Sequence, residues 1–304
     1  MIATTEYERL RESAGLVDRS ARGKLLLTGA ETAEFLQGQV TNDVEALAPG
    51  QGCYATLLTH KGKVLADMRI LRGPDWILID CEPAALPALR RNVDMYSIGR
   101  DVRSADETAA RAILALVGPA AREALDAQPG PDEHDWVSGE HGIYVTTDVG
   151  IDVICPAEDA GEVREALGVE AVSEDAAECV RIENGRPRYG IDFDAETIPQ
   201  EAGLNDRAVS FTKGCYVGQE TVARLHYKGK PNRHLRGLRL SEPGRPGDEI
   251  VFDGKPVGRL GSTAESPLRG PIGLALVRRE AAPGAEVAVG DAGTRAVVTE
   301  LPFD

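Results

Sequence analysis

The chain has 304 residues, enough for two or three domains and too many for a single short module. Apolar residues at 42% and charged residues at 27% exclude disorder as the main state, and a net charge of −15 argues against a general binder of nucleic acid or anionic membranes. The first thirty residues carry Glu6, Glu8, Glu12 and Asp18 with no apolar run before a cleavage site, and no stretch approaches the ~20 apolar residues of a membrane helix, so a cytoplasmic protein is expected.

In chain order, residues 4–15 predict a short helix, capped by Thr4 or Thr5 and ended by Gly15. Residues 24–28 predict a strand, and Gly29-Ala30-Glu31 opens a helix with Ala33, Phe35, Leu36 and Val40 on its apolar side. Strands over 54–58, 63–71 and 76–81 are separated by the turn residues His60-Lys61-Gly62 and Arg72-Gly73-Pro74-Asp75. A helix over 82–96 follows from Leu86, Leu89, Val93 and Tyr96 at spacings of three and four. Further strands are predicted over 111–117, 142–147 and 152–155, and helices over 160–167 and 174–184. The lack of regular βαβ alternation favours an α+β fold over a doubly wound sheet. Beyond a boundary near Asn232, about six short strands with turns at Asp253-Gly254 and Asp291-Ala-Gly293 suggest a small antiparallel barrel.

Charge is unevenly spread. Residues 101–180 hold 19 acids against 4 bases, whereas residues 207–239 hold 8 bases and one acid, Glu220. Such a positive stretch attracts anionic ligands even in an acidic protein. Five cysteines (Cys53, Cys81, Cys155, Cys179, Cys215) without a C-x-x-C pair indicate neither a disulfide framework nor a metal site.

Three strings carry candidate chemistry. In Lys213-Gly-Cys215-Tyr-Val-Gly218-Gln-Glu220, a helix starting at Gln219 would put Cys215 near its N-terminus with Lys213 close by, both favouring thiolate. The plainer reading is a tight turn with a small core cysteine. In Arg181-Ile-Glu183-Asn-Gly185, a carboxylate at the end of a helix needs compensation. It comes either from Arg186 or Arg188, or from a heterocycle offering an N–H and an amino group on one edge, as a pterin does. In His60-Lys-Gly-Lys-Val64-Leu-Ala-Asp67, strand alternation places Asp67 on a face with Leu65, Arg69 and Leu71. It either pairs with Arg69 or faces a cleft as a proton-transfer or ammonium-stabilising group.

Together these strings resemble the folate-binding family typified by YgfZ, within the glycine cleavage T-protein (aminomethyltransferase) superfamily. The K-G-C-Y-x-G-Q-E string is the family signature, and Phe35-Leu-Gln-Gly-Gln-Val-Thr-Asn42-Asp43, His60-Lys-Gly-Lys-Val64, Arg181-Ile-Glu-x-Gly185 and Ile198-Pro-x-Glu201-Ala202 match in the family's order. The resemblance implies a clover-leaf of two interleaved α+β subdomains over residues 1–232 and a C-terminal β-barrel over 233–304, around a central tetrahydrofolate cavity. It implies a tetrahydrofolate-dependent role in iron–sulfur cluster assembly or repair, and so indirectly in tRNA modification. The implied partners are folate, including polyglutamylated forms, and iron–sulfur proteins or their assembly factors, without direct nucleic-acid or membrane contact.

Position by position, Glu183 matches the superfamily glutamate that grips the pterin, and Cys215 the functional cysteine of the YgfZ-type signature. Tyr189, Arg224 and Lys228 join Glu183 and Asp67 as implied cofactor contacts, with Lys230 beside the two bases on an exit path for the glutamate tail. A solvated basic surface is the alternative for those three bases. Asp67 aligns with the aspartate of true aminomethyltransferases, which many YgfZ-type proteins lack. It keeps a second function open: transfer of a lipoyl-bound aminomethyl group to tetrahydrofolate, with release of ammonia. Against that stand the ending Leu301-Pro-Phe-Asp304, without the tyrosine-bearing tail of T-proteins, and the want of a secure match to their folate-tail arginine. A third reading is a folate-binding scaffold in which neither Cys215 nor Asp67 reacts.

Overall fold

The computed structural model describes residues 4–304. Thr4–Glu12 forms helix α1, Gly15–Asp18 and Gly23–Thr28 strands β1 and β2, and Thr32–Gln39 helix α2. Strands β3 (Gln51–Leu58), β4 (Val64–Arg72) and β5 (Trp76–Cys81) lead to helix α3 (Leu86–Tyr96) and strands β6 (Arg103–Asp106) and β7 (Arg111–Val117). Strands β8 (Trp136–Gly139), β9 (Gly142–Thr147) and β10 (Gly150–Pro156) precede helices α4 (Ala160–Leu167), α5 (Glu174–Glu183), α6 (Asn205–Ala208) and α7 (Gln219–Lys228). The remaining strands are β11 (Arg233–Leu240), β12 (Glu249–Phe252), β13 (Lys255–Ser266), β14 (Gly270–Arg278), β15 (Glu286–Val289) and β16 (Thr294–Thr299).

The strands form two five-stranded antiparallel sheets, β3-β4-β5-β2-β6 and β1-β7-β10-β9-β8, and a closed six-stranded barrel. The α+β architecture and the barrel are those expected from the sequence. Strands β1, β6 and β8 were not. All four residues of β6 are exposed, so this edge strand has no apolar alternation to betray it. Helix α3 starts at Leu86 rather than residue 82, with Pro87 in its first turn, where no amide is required.

Strand alternation decides what each sheet face meets. Ala66, Met68 and Ile70 of β4 lie under Phe35 and Leu36 of α2 and Leu89 and Val93 of α3, where full burial of each large side chain contributes about 1.5–3 kcal/mol. In the second sheet Leu114, Leu116, Ile151 and Val153 carry Val163 and Leu167 of α4. The two sheets meet through Leu71 and Leu78 on one side and Ile113, Val145 and Ile154 on the other, with the Trp76 and Trp136 rings 5.1 Å apart. One residue pair along β4 from Leu71, the filling changes from apolar to ionic: Arg69 reaches Asp80 of its own sheet at 2.5 Å and Asp152 of the other at 2.7 Å. The central cavity opens at that change.

Candidate ligand site in the central cavity

The cavity, about 380 Å³, is lined from both sheets, from α5 and from the segments beside it. Its wall holds nine carboxylates and six arginines. Eight of those carboxylates lie within 4.0 Å of an arginine. Asp67 is the exception among the described residues. Arg69, its neighbour on the same face of β4, is held by Asp80 and Asp152 and leaves Asp67 unpaired.

The Tyr54 hydroxyl on the adjacent strand donates to Asp67 Oδ2, and Oδ1 is buried without a partner. At 5% exposure, burial pushes the Asp67 carboxyl up to about 6, although the Tyr54 hydrogen bond and the Arg22 charge pull in the opposite sense and Glu82 reinforces the rise. Tyr54 is itself held: the Arg207 guanidinium lies 4.9 Å from its ring centroid. Carboxyls perturbed in this way cluster at ligand-binding and proton-transfer sites, and also occur in structural ion networks.

Two further cavity residues went unassigned from sequence. Arg207, first of the basic segment, pairs with Glu133 across the cavity and leaves its Nε without a partner. His134 enters from the loop before β8 and stacks on Tyr54, with ring centroids 6.4 Å apart. No periodicity marks either residue: Arg207 lies on the single turn of α6 and His134 on the loop before β8.

Glu183 stands apart from this cavity. It does not line the cavity, and it pairs with neither Arg186 nor Arg188. Its carboxylate, 2% exposed, accepts from the Tyr7 hydroxyl at 2.8 and 2.9 Å, from the Ser266 hydroxyl at 2.6 Å and from Cys179 Sγ at 3.8 Å. Arg11 and Arg269 stand 3.6 and 4.0 Å away. The reason is helical register. Glu174, Glu178 and Arg181 share the cavity face of α5, while Ala176, Cys179, Val180 and Glu183 share the opposite face, against α1 and the barrel. That periodicity was present in the sequence and separates Glu183 from the cavity acids.

The signature string is also accounted for by packing. The Lys213 ammonium donates to the carbonyls of Gln37, Val40 and Asn42 at 2.7, 2.8 and 2.7 Å, closing the end of α2, and burial draws it down to about 8. Tyr216 is buried beside Phe193 and Val222. Gly218 adopts φ +84°, and a Cβ there would meet the Thr59 carbonyl oxygen at 2.5 Å, so glycine is what lets the loop dock on the β3–β4 turn. Cys215 is left exposed, four residues before α7 begins, with the Lys213 amine turned away into carbonyls. Neither a core cysteine nor a thiol beside a free ammonium describes it. Arg224 and Lys228 lie exposed on α7 and do not line the cavity. Tyr189 packs edge-on against Phe193 at 5.5 Å, and its hydroxyl is pushed up by burial and by the Asp67 charge.

Among the described residues no helix is long and apolar enough to cross a membrane. The GCVT N-terminal domain family matches residues 1–151, and the glycine cleavage T-protein C-terminal barrel domain family matches residues 233–304. A chloroplast protein of Arabidopsis thaliana named as a transferase is 30% identical over 307 residues, covering 95% of this chain and 71% of the relative. The aminomethyltransferase of Geobacillus thermodenitrificans is 31% identical over 323 residues, covering 98% and 88%. The crystal structure of the glycine cleavage system aminomethyltransferase T from Bartonella henselae superimposes with a TM-score of 0.89 at 24% identity, covering 99% of this chain and 89% of that one. The chain belongs to the glycine cleavage T-protein family, the aminomethyltransferases.

Proposed function

We propose that this protein binds a tetrahydrofolate in the central cavity and transfers an aminomethyl or related one-carbon unit to it, with Asp67 as the proton-handling group. The observation that carries the reading is the state of Asp67: one carboxylate in nine without an arginine, one oxygen fixed by Tyr54, the other unpartnered, and the acid poised near pH 6. Relatives named as aminomethyltransferases support the same chemistry.

The residues present fit a reduced folate. A cavity of about 380 Å³ suits a ligand of that size, and unpartnered buried atoms on Asp67, Arg69 and Arg207 leave both acceptor and donor capacity for a polar heterocycle. Tetrahydrofolate supplies neighbouring amine nitrogens that accept a one-carbon unit. Tyr54 fixes the Asp67 carboxylate, and the Arg69–Asp80–Asp152 network keeps Arg69 from neutralising it. Asp67 then stabilises positive charge developing at the reacting amine and takes or returns its proton. Arg22, Arg188 and Arg207 supply cationic wall for the carboxylates of a folate tail.

A second reading, a YgfZ-type tetrahydrofolate-binding factor in iron–sulfur cluster assembly or repair, draws on Cys215, the one exposed cysteine of the five. Its partners would be iron–sulfur proteins or their assembly factors. One preparation tests both. Given a lipoyl-bound aminomethyl donor and tetrahydrofolate, the protein is expected to release ammonia, unchanged in C215S; no release at any protein concentration, with function in iron–sulfur enzyme maintenance lost in C215S, would favour the second reading.

A further inference from the structure

His134 has no place in the chemistry described so far, and three observations say it is built for something. Its imidazole is nine-tenths buried on the cavity wall, yet neither Nδ1 nor Nε2 has a hydrogen-bond partner. The Glu133 carboxylate stops 3.6 Å from Nε2, beyond hydrogen-bond reach. The residue sits at φ +76°, a left-handed conformation that non-glycine residues rarely adopt and that its own amide anchors by donating to the Thr146 carbonyl at 2.8 Å. Stacking on Tyr54 leaves two buried nitrogens unsatisfied, a cost that packing alone does not offset.

The surroundings fix its protonation state. Burial, with the guanidinium groups of Arg69 and Arg207 close by, draws the imidazole down to about 3, against weaker opposing pulls from Asp80 and Asp148. It is neutral at any physiological pH and offers one donor and one acceptor. Tyr54 ties it to the reaction centre: the ring that stacks on His134 carries the hydroxyl that fixes Asp67.

We propose that His134 is a ligand-contacting residue of the central cavity, whose imidazole hydrogen-bonds a polar edge of the bound tetrahydrofolate; the proposal rests on the folate reading above. A neutral donor–acceptor group reads a heterocycle without adding charge to a wall already crowded with ions. It therefore selects ligands by the pattern of N–H and carbonyl groups rather than by net charge.

The test uses the full chain labelled with 15N-histidine, with the His134 resonances assigned by their loss in H134F. On titration with tetrahydrofolate monoglutamate, the His134 nitrogen signals are expected to move and to saturate at the dissociation constant found by calorimetry. H134F is expected to bind at least about tenfold more weakly while remaining folded, its melting temperature reporting separately the strain of a phenylalanine at a left-handed position and the relief of two buried unpartnered nitrogens. H134N, which tolerates the left-handed backbone and keeps a donor and an acceptor, is expected to recover part of that loss. Calorimetric binding with unmoved His134 signals and unchanged affinity in H134F would overturn this proposal alone. No binding by the wild-type protein would overturn the folate reading and this proposal with it.

Discussion

Two buried carboxylates in this molecule meet opposite surroundings. Glu183, 2% exposed, accepts hydrogen bonds from the Tyr7 and Ser266 hydroxyls and has two arginines within 4.0 Å. Asp67, 5% exposed, has one tyrosine, no arginine within that distance and an oxygen with nothing bonded to it. Burial does not distinguish them; unmet hydrogen-bonding capacity does. A saturated carboxylate holds α1, α5 and the barrel together, whereas an unsaturated one beside a cavity is available to a ligand.

The largest effect that separates the two is catalytic. Asp67→Asn should lower the transfer rate by about 10²–10⁴-fold, the usual contribution of a positioned acid or base, while the melting temperature stays constant or rises. Glu183→Ala should do the reverse. It strands the Tyr7 and Ser266 hydroxyls and costs about 3 kcal/mol of stability in denaturant titration, with tetrahydrofolate affinity measured in the cold unchanged.

Acid response sharpens the contrast further. Because the folded-state pKa of Asp67 is raised to about 6, folding binds its proton more tightly than the unfolded chain does, and stability rises as pH falls from about 6 towards 4. Asp80 works in the opposite sense: held down to about 2 by Arg69 and Arg22 against the cost of burial, its stabilisation is present above about 4 and lost as pH falls through about 2. Denaturation of wild type and D67N between pH 4 and pH 6 should differ in slope, with wild type gaining up to about 3 kcal/mol relative to the variant. The smallest effects belong to the surface. C215S, and R224A with K228A, should each leave folding free energy within about 0.5 kcal/mol of wild type, read from urea melts.

Much of the architecture was legible because it follows from alternation. Asp67 and Arg69 stand opposite Met68 and Ile70 on β4, as period two requires, and the six strands after Asn232 close a barrel. Two features of the site were not read from the chain. The partner of Asp67 depends on Asp80 and Asp152 outcompeting it for Arg69, a contest between sheets that no local pattern encodes. His134 depends on a left-handed loop residue meeting Tyr54, eighty positions away. The surroundings of Glu183 follow from the 3.6-residue register of α5, which groups it with Ala176, Cys179 and Val180 rather than with the cavity acids Glu174 and Glu178.

A crystal structure of the protein grown with tetrahydrofolate compares the two carboxylates directly. The ligand is expected in the central cavity against Asp67 and His134, with Glu183 still bonded to Tyr7 and Ser266. A pterin held by Glu183, with those two hydroxyl bonds broken, would contradict the account.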